Sequence, residues 1–211
     1  ERPIFFEGNF GREPLFVYML SGAFALFGAS PTVIRAVSAA AGTVAVLLTY
    51  GIGRLLFRES PWPAVCAALI QALLPWDLHF SRYGIRAELL PLLGSAAVFF
   101  LLLGWQQGKR RWYAASGAFL GLCLWGYMAA RVLPLVFIAW VPLAVRQANA
   151  LQRRRLLLGF AVVVLAAGLV FAPLGMYFLR NPASFTQRVG QVVLKGNAWQ
   201  LLQSTGENAW R

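Results

Sequence analysis

Long apolar stretches alternate with short charged stretches along most of the chain. Of seven apolar segments, b (32–57), d (87–105) and g (156–179) are long enough to cross about 30 Å of hydrocarbon as helices. Segments c (62 to about 76), e (112–128) and f (132–145) cross only if flanking residues join them. The pattern therefore predicts an all-α, polytopic transmembrane helix bundle. The seven apolar segments, a to g, are residues 14–28, 32–57, 62 to about 76, 87–105, 112–128, 132–145 and 156–179.

Composition supports a membrane protein rather than a soluble domain. Hydrophobic residues make up 59% of the 211 positions and charged residues only 12%, about half the share found in soluble domains. A water-soluble fold of this size could not bury so much apolar surface, whereas lipid can cover it.

Basic residues greatly outnumber acidic ones, with 19 Lys and Arg against 7 Asp and Glu and a formal net charge of +12. Basic side chains cluster in three alternate loops, which the positive-inside rule places in the cytoplasm. Short clusters between apolar segments do not form a basic domain, so the pattern argues against nucleic acid as a partner. The basic loop residues are Arg54, Arg58, Lys109, Arg110, Arg111, Arg146, Arg153, Arg154 and Arg155.

Segment a is only about fifteen residues long. If it spans the membrane, residues 1–13 are cytoplasmic, but on its length we favour a juxtamembrane helix that lies flat in the interface, with residues 1–13 outside. The predicted layout is one transmembrane domain with an outer loop and juxtamembrane helix (1–31), six crossings (32–179) and an outer-face tail (180–211). The chain opens on Glu1 and closes on a polar stretch, so we expect an internal fragment of a longer protein.

The remaining loops and the tail then lie on the outer face of the membrane, and they carry side chains that are unusual for that side. Arginine is disfavoured there, so arginine that is kept suggests a bound anion such as a phosphate. Acids beside such a site could serve as general bases or metal ligands. The outer-face residues are Glu7, Arg12, Glu13, Asp77, His79, Arg82, Arg86, Glu88, Tyr127, Arg131, Arg180, Arg188 and Lys195.

Structural explanations stay open for several of these residues. Arg82 and Arg86 are spaced i, i+4 and could bind lipid headgroups, and Glu88 could pair with either of them. His79 could pack against neighbouring aromatic rings, and Asp77 could cap a turn. Cys66 and Cys123 lie in apolar segments without metal-binding spacing, so no metal site is predicted from cysteine or histidine.

The order of several short motifs resembles the GT-C membrane glycosyltransferases, specifically bacterial relatives of dolichyl-phosphate-mannose–protein mannosyltransferase. The similarity covers nearly all of the chain, and its strength lies in the order and spacing of the motifs together. The matching stretches are 11–18 (GREPLFVY), 27–31 (FGASP) leading to Arg35, 78–87 (LHFSRYGIRA), 126–134 (GYMAARVLP) and 181–185 (NPASF) before Arg188.

The resemblance implies a multi-helix membrane enzyme with juxtamembrane helices on its outer face. Such enzymes transfer a sugar from a polyprenyl-phosphate donor to an acceptor, here a protein, lipid or glycan, at the outer face of the cell membrane of a bacterium. An acid of their first outer loop would precede the Arg-Glu-Pro-Leu motif, upstream of Glu1. A second acid often begins the helix after the second outer loop, and Glu88 is the nearest match, about one position from the usual register.

The candidate site residues follow from this resemblance and from the outer-face pattern. Glu88 and Glu13 are the candidate catalytic acids, no metal ligand is assigned, no cofactor is firmly expected, and a divalent metal is left open. The candidate donor-phosphate ligands are Arg82, Arg86, Arg131 and Arg188, and the further outer-face candidates are Arg12, Asp77, His79 and Tyr127.

Three other functions stay open at this stage. A lipid-phosphate carrier or flippase would use the same arginines but need no acid. A structural subunit would only bind lipid through its outer charges. A small-molecule transporter is disfavoured, because the helices have few polar residues at mid-depth.

Overall fold

A computed structural model of the chain describes Phe5 and residues 13–182. This part is built of α-helices with two short 3₁₀ turns, Arg86–Glu88 and Met128–Val132, and it contains no strand. The predicted all-α class is confirmed. The helices are α1 (Leu15–Phe27), α2 (Pro31–Leu56), α3 (Trp62–Leu73), α4 (Pro75–Tyr83), α5 (Leu89–Gln107), α6 (Arg110–Gly126), α7 (Leu133–Gln147) and α8 (Ala150–Arg180).

Several of these helices are long and apolar enough to cross a membrane. Within the described residues they are Pro31–Leu56, Arg86–Gln107, Met128–Gln147 and Ala150–Arg180, and α3 with α4 makes a fifth if this bent pair is one span. Only 17% of the apolar window of Pro31–Leu56 is buried inside the protein. The rest of that surface needs lipid to cover it, which fits the predicted polytopic membrane bundle.

Packing partners give the directions of the helices. Gln106 near the end of α5 donates a hydrogen bond to the carbonyl of Leu55 near the end of α2, so α2 and α5 run parallel. Helix α6 runs back along α5, because Tyr113 packs at Gly104 and Leu89 packs at Gly126. Helix α6 has 17 residues, about 25 Å of helix, and it follows α5 for most of its length. This course suits a further crossing, and the predicted total of six stays a prediction.

Small residues allow α6 to pack closely against α8 and α5. A Cβ atom at Gly117 would lie 2.3 Å from the carbonyl oxygen of Val163 on α8. The buried hydroxyl of Ser116 donates a hydrogen bond of 2.7 Å to the carbonyl of Ala97 on α5. Close backbone approach and interhelical hydrogen bonds are the usual way in which membrane helices associate.

The α2–α3, α5–α6 and α7–α8 connections meet at one end of the bundle, which we call the basic end. Arg58 of the first loop bonds the side chain of Gln106 at the end of α5. Gly159 in the third turn of α8 packs against the ring of Tyr113 near the start of α6. The loops that the charge pattern assigned to one side of the membrane therefore do lie on one side of the protein.

Segment c and the stretch after it differ from the prediction. Instead of one segment to about Trp76 followed by a loop, α3 ends at Leu73 and α4 continues to Tyr83 with a bend of 54° between them. Leu74 is extended because it precedes Pro75, and Pro75 then opens α4. Gly84 ends α4 with φ of 72°, the left-handed conformation that glycine adopts most readily.

Helix α1 is too short to cross a bilayer, with 13 residues or about 20 Å. Its Phe16 is buried against Leu89, Leu93, Cys123 and Ala130 near the end of the bundle opposite the basic end. The proposed flat position of this helix in the interface stays a prediction.

Candidate functional site

Glu13, two residues before α1, lies between two arginines that come from distant parts of the chain. Its Oε2 is 3.4 Å from Nη1 of Arg86, and its Oε1 is 3.8 Å from Nη2 of Arg131. Arg86 opens the 3₁₀ turn before α5, and Arg131 lies in the 3₁₀ turn between α6 and α7. One buried carboxylate thus brings two guanidinium groups together.

Each of the two arginines also lies close to an aromatic ring. The guanidinium carbon of Arg86 lies 5.8 Å from the ring centroid of Tyr127, and that of Arg131 lies 5.4 Å from the ring of Phe178. Phe178 in turn packs edge-on against Phe5. Cation–π contacts of this kind orient a guanidinium without neutralising it.

The side chains of Glu13, Arg86 and Arg131 taken together carry one net positive charge. Two guanidinium groups face one carboxylate, and the arginine side chains stay 16% and 23% exposed while Glu13 is 5% exposed. The two arginines are therefore reachable from outside, whereas the acid between them is not. Such a pair of forked donors is suited to an anion such as a phosphate.

Glu88 is the least expected side chain at this end of the bundle. It is 1% exposed, and neither carboxylate oxygen has a hydrogen-bond partner within the described part of the chain. A buried carboxyl group without partners is costly, so it calls for a reason other than stability. Glu88 lines a cavity of about 270 Å³, and the other polar residues that line it are Thr43, Gln71, Asp77 and Ser81.

A second cavity of about 440 Å³ adjoins the arginine cluster at Tyr127, whose ring centroid lies 5.8 Å from the guanidinium carbon of Arg86. Most of the rest of its lining is apolar, including Leu90, Pro91 and Leu133. Asp77 lines both cavities. Asp77 is therefore adjacent both to the cavity next to the arginine cluster and to the cavity that Glu88 lines. We call this region, with Glu13, Asp77, Arg86, Glu88, Tyr127 and Arg131, the arginine–carboxylate end.

The other predicted site residues lie apart from this cluster or outside the described residues. His79 stacks on Tyr83 with ring centroids 4.4 Å apart, which fits the packing interpretation. Arg82 is exposed on α4 and forms no ion pair with any residue that the structure describes. Arg12 and Arg188 lie outside the described residues.

The described residues do not form a metal centre. No group of three His, Cys, Asp or Glu side chains among them is placed to hold a metal ion. Asp77 and Glu88 are the acids nearest to such an arrangement, as both line the smaller cavity.

One residue of the site was missed by sequence reasoning. Gly42 on α2 lines the same cavity as Glu88, and it faces the carboxylate directly. Its signal in the sequence was weak, because α2 contains many small residues that serve helix packing equally well.

A protein-family model matches most of this chain. The family model described as dolichyl-phosphate-mannose-protein mannosyltransferase matches residues 11–177. The matched range contains all six residues of the arginine–carboxylate end. Comparison with curated proteins and with solved structures gave no match.

Proposed function

The chain belongs to the dolichyl-phosphate-mannose–protein mannosyltransferase family, and from this we propose that it is a membrane glycosyltransferase using a polyprenyl-phosphate-linked sugar. The observation that supports this proposal best is the convergence of Arg86 and Arg131 on Glu13, beside a cavity with apolar walls. A sugar carried on a lipid phosphate needs those two features together: cations for the phosphate and an apolar groove for the lipid.

The donor binds with its phosphate at the arginine pair. Arg86 and Arg131 donate hydrogen bonds to its oxygens, while Glu13 and the rings of Tyr127 and Phe178 keep the guanidinium groups in place. The polyprenyl chain of the bound donor extends through the larger cavity, along Leu90, Pro91 and Leu133. Because the arginines are fixed before the donor arrives, little reorganisation is needed when charge develops.

The acceptor hydroxyl binds in the smaller cavity. Glu88 is the proposed base, because its carboxylate is free of hydrogen bonds from described residues and faces this cavity. Glu13 suits that role less well, because it is buried between two arginines and unable to reach a substrate. Asp77, at the junction of both cavities, is placed to hold the sugar hydroxyls.

The reaction is a single displacement at the anomeric carbon. The acceptor O–H bond breaks and its proton goes to the carboxylate of Glu88, while the acceptor oxygen forms a bond to the anomeric carbon. The bond from that carbon to the phosphate oxygen breaks, and polyprenyl phosphate leaves with the electron pair. Attack opposite the leaving group inverts the anomeric configuration. The added negative charge on the phosphate is stabilised by Arg86 and Arg131.

The proposed orientation follows from the charges of the basic end. The positive-inside rule places its loops in the cytoplasm, so the arginine–carboxylate end faces the outer side of a cell membrane. Polyprenyl-phosphate sugars and acceptors would then meet at the outer lipid–water boundary.

The test is sugar transfer by the full-length protein in membranes that contain its natural acceptors, with polyprenyl-phosphate mannose as the probe. We expect release of polyprenyl phosphate, a loss of about 10²–10³-fold in rate for Arg86→Ala, and a near wild-type rate for Lys109→Ala at the basic end. Binding of the probe without transfer would favour a lipid-phosphate carrier. Equal rates for Arg86→Ala and the wild type would contradict the site.

A further inference from the structure

We propose that Gly42 is a positioning residue for Glu88, and that its missing side chain is what allows the carboxylate to face the acceptor cavity. This inference rests on the proposed function, in which Glu88 is the base. It concerns a residue on α2, a helix that contributes none of the ionisable groups of the arginine–carboxylate end.

The contact between the two residues is direct. A Cβ atom built on Gly42 would lie 2.6 Å from Oε1 of Glu88 and 3.6 Å from its Cδ. It would also lie 3.3 Å from Cβ of Ser81 on α4. Carbon and oxygen atoms that are not bonded keep a distance of more than 3 Å, so any side chain at position 42 would displace the carboxylate.

Glu88 has little freedom to move in response. It is 1% exposed, and its neighbours Ala87 and Leu89 are buried as well. Two residues earlier, Arg86 is tied to Glu13. With the backbone of the 3₁₀ turn held on both sides, the space open to the side chain is the cavity, which Asp77 also lines. Two carboxylates would then approach each other in the space that the acceptor needs.

Helix α2 offers a matched control in Gly51. A Cβ atom there would lie 2.8 Å from Cε2 of Phe99 on α5, so the steric conflict is similar in size and also involves the partner helix of α2. Phe99 carries no ionisable group and lies nearer the basic end. Gly51→Ala therefore reports the cost of crowding the α2–α5 interface without touching Glu88.

The contact is tested by thermal unfolding of the full-length protein in detergent, in a double-mutant cycle. We expect Gly42→Ala to lower the unfolding midpoint by on the order of 5 °C when Glu88 is present. In a Glu88→Ala background the same change should lower the midpoint by less or not at all, because the contact with Oε1 is gone, alanine favours the helix, and only the 3.3 Å approach to Cβ of Ser81 remains. Gly51→Ala should lower the midpoint equally in both backgrounds. Equal shifts for Gly42→Ala in the two backgrounds would overturn the contact.

The positioning role is tested by transfer kinetics with polyprenyl-phosphate mannose. We expect Gly42→Ala to lower kcat at least tenfold with little change in the donor KM, and Gly51→Ala to leave kcat within threefold of wild type. Glu88→Asp, which is one methylene shorter, should lower kcat in the wild-type background but raise it in Gly42→Ala.

Two kinetic results would overturn the role. One is a wild-type kcat in Gly42→Ala, and the other is no recovery with Glu88→Asp. A wild-type protein that transfers no sugar would overturn the proposed function, and the positioning role with it. The unfolding cycle would still show in that case whether Gly42 and Glu88 are in contact.

Discussion

Glu13 and Arg86 are 73 positions apart in the chain, yet the carboxylate Oε2 of one lies 3.4 Å from Nη1 of the other. The pair joins Glu13, two residues before α1, to the turn that precedes α5. Because Glu13 also reaches Arg131, a single buried acid ties together three connections of the bundle at the proposed site.

Replacing Glu13 by glutamine should destabilise the protein strongly, although the two side chains have nearly the same size. The change removes the carboxylate charge that Arg86 and Arg131 both contact, and breaking a buried pair costs about 3–5 kcal/mol. The measurement is the unfolding midpoint in detergent. Glu59→Gln, an exposed acid at the basic end, is the control and should change the midpoint by less than 2 °C, from about 0.5 kcal/mol or less. Equal midpoints for the two variants would show that the Glu13 ion pairs contribute nothing.

Arg131 and Arg82 were both predicted to bind the donor phosphate, and the structure gives them different surroundings. Arg131 is held by Glu13 and Phe178, whereas Arg82 is exposed on α4. We expect Arg131→Ala to lower the transfer rate about 10²–10³-fold, or 2.7–4 kcal/mol of barrier, and Arg82→Ala to lower it less than tenfold. An Arg82→Ala defect as large as that of Arg131→Ala would move the phosphate site towards α4.

Gly117 should be indispensable for the packing of α6 on α8. A methyl group there would meet the backbone of Val163, which cannot turn away as a side chain can. Gly117→Ala should therefore destabilise the protein by about 1–3 kcal/mol. The control is Gly168→Ala on α8, where no atom lies within 4 Å of the added carbon and alanine should be neutral or slightly stabilising. A similar unfolding midpoint for both variants would mean that the close α6–α8 contact is absent from the protein in detergent.

The orientation of the bundle can be measured with one introduced cysteine at a time in a Cys66→Ser background, in which the other cysteine described above, Cys123, is buried. Ala129→Cys lies in the exposed part of the turn after α6, at the arginine–carboxylate end, and Lys109→Cys lies at the basic end. A membrane-impermeant maleimide added to intact cells should label the cysteine at 129 and spare the one at 109 until the cells are opened. The reverse pattern would place the site in the cytoplasm.

The sequence was sufficient for the helical architecture, because apolar length and charged breaks reflect the bilayer directly. It was less informative where a local signal had two meanings. The stretch after Pro75 contains charged residues and was expected to be a loop. Proline opens a helix as readily as it ends one, and α4 ends only at Gly84. Asn149 and Gln152 form a capping box, so α8 begins before the three arginines at 153–155 and includes them.

The sequence predicted most of the individual residues of the site, but it did not predict which of them contact each other. Arg86, Arg131 and Glu88 were singled out because charge is rare beside apolar segments, which a single sequence reveals. The pairing of Glu13 with two arginines joins residues far apart in the chain, and no local pattern encodes such a contact. The same holds for Gly42, whose importance depends on a carboxylate from another helix.

The most direct test of this account is the effect of Glu88→Gln on two properties of one preparation, the sugar-transfer rate and the free energy of unfolding. The account predicts a transfer rate lower by about 10²–10⁴-fold, as expected for loss of a general base. It also predicts equal or greater stability, because an unpartnered buried carboxyl group is replaced by an uncharged one. A wild-type transfer rate in Glu88→Gln would contradict the proposed role of this end of the bundle.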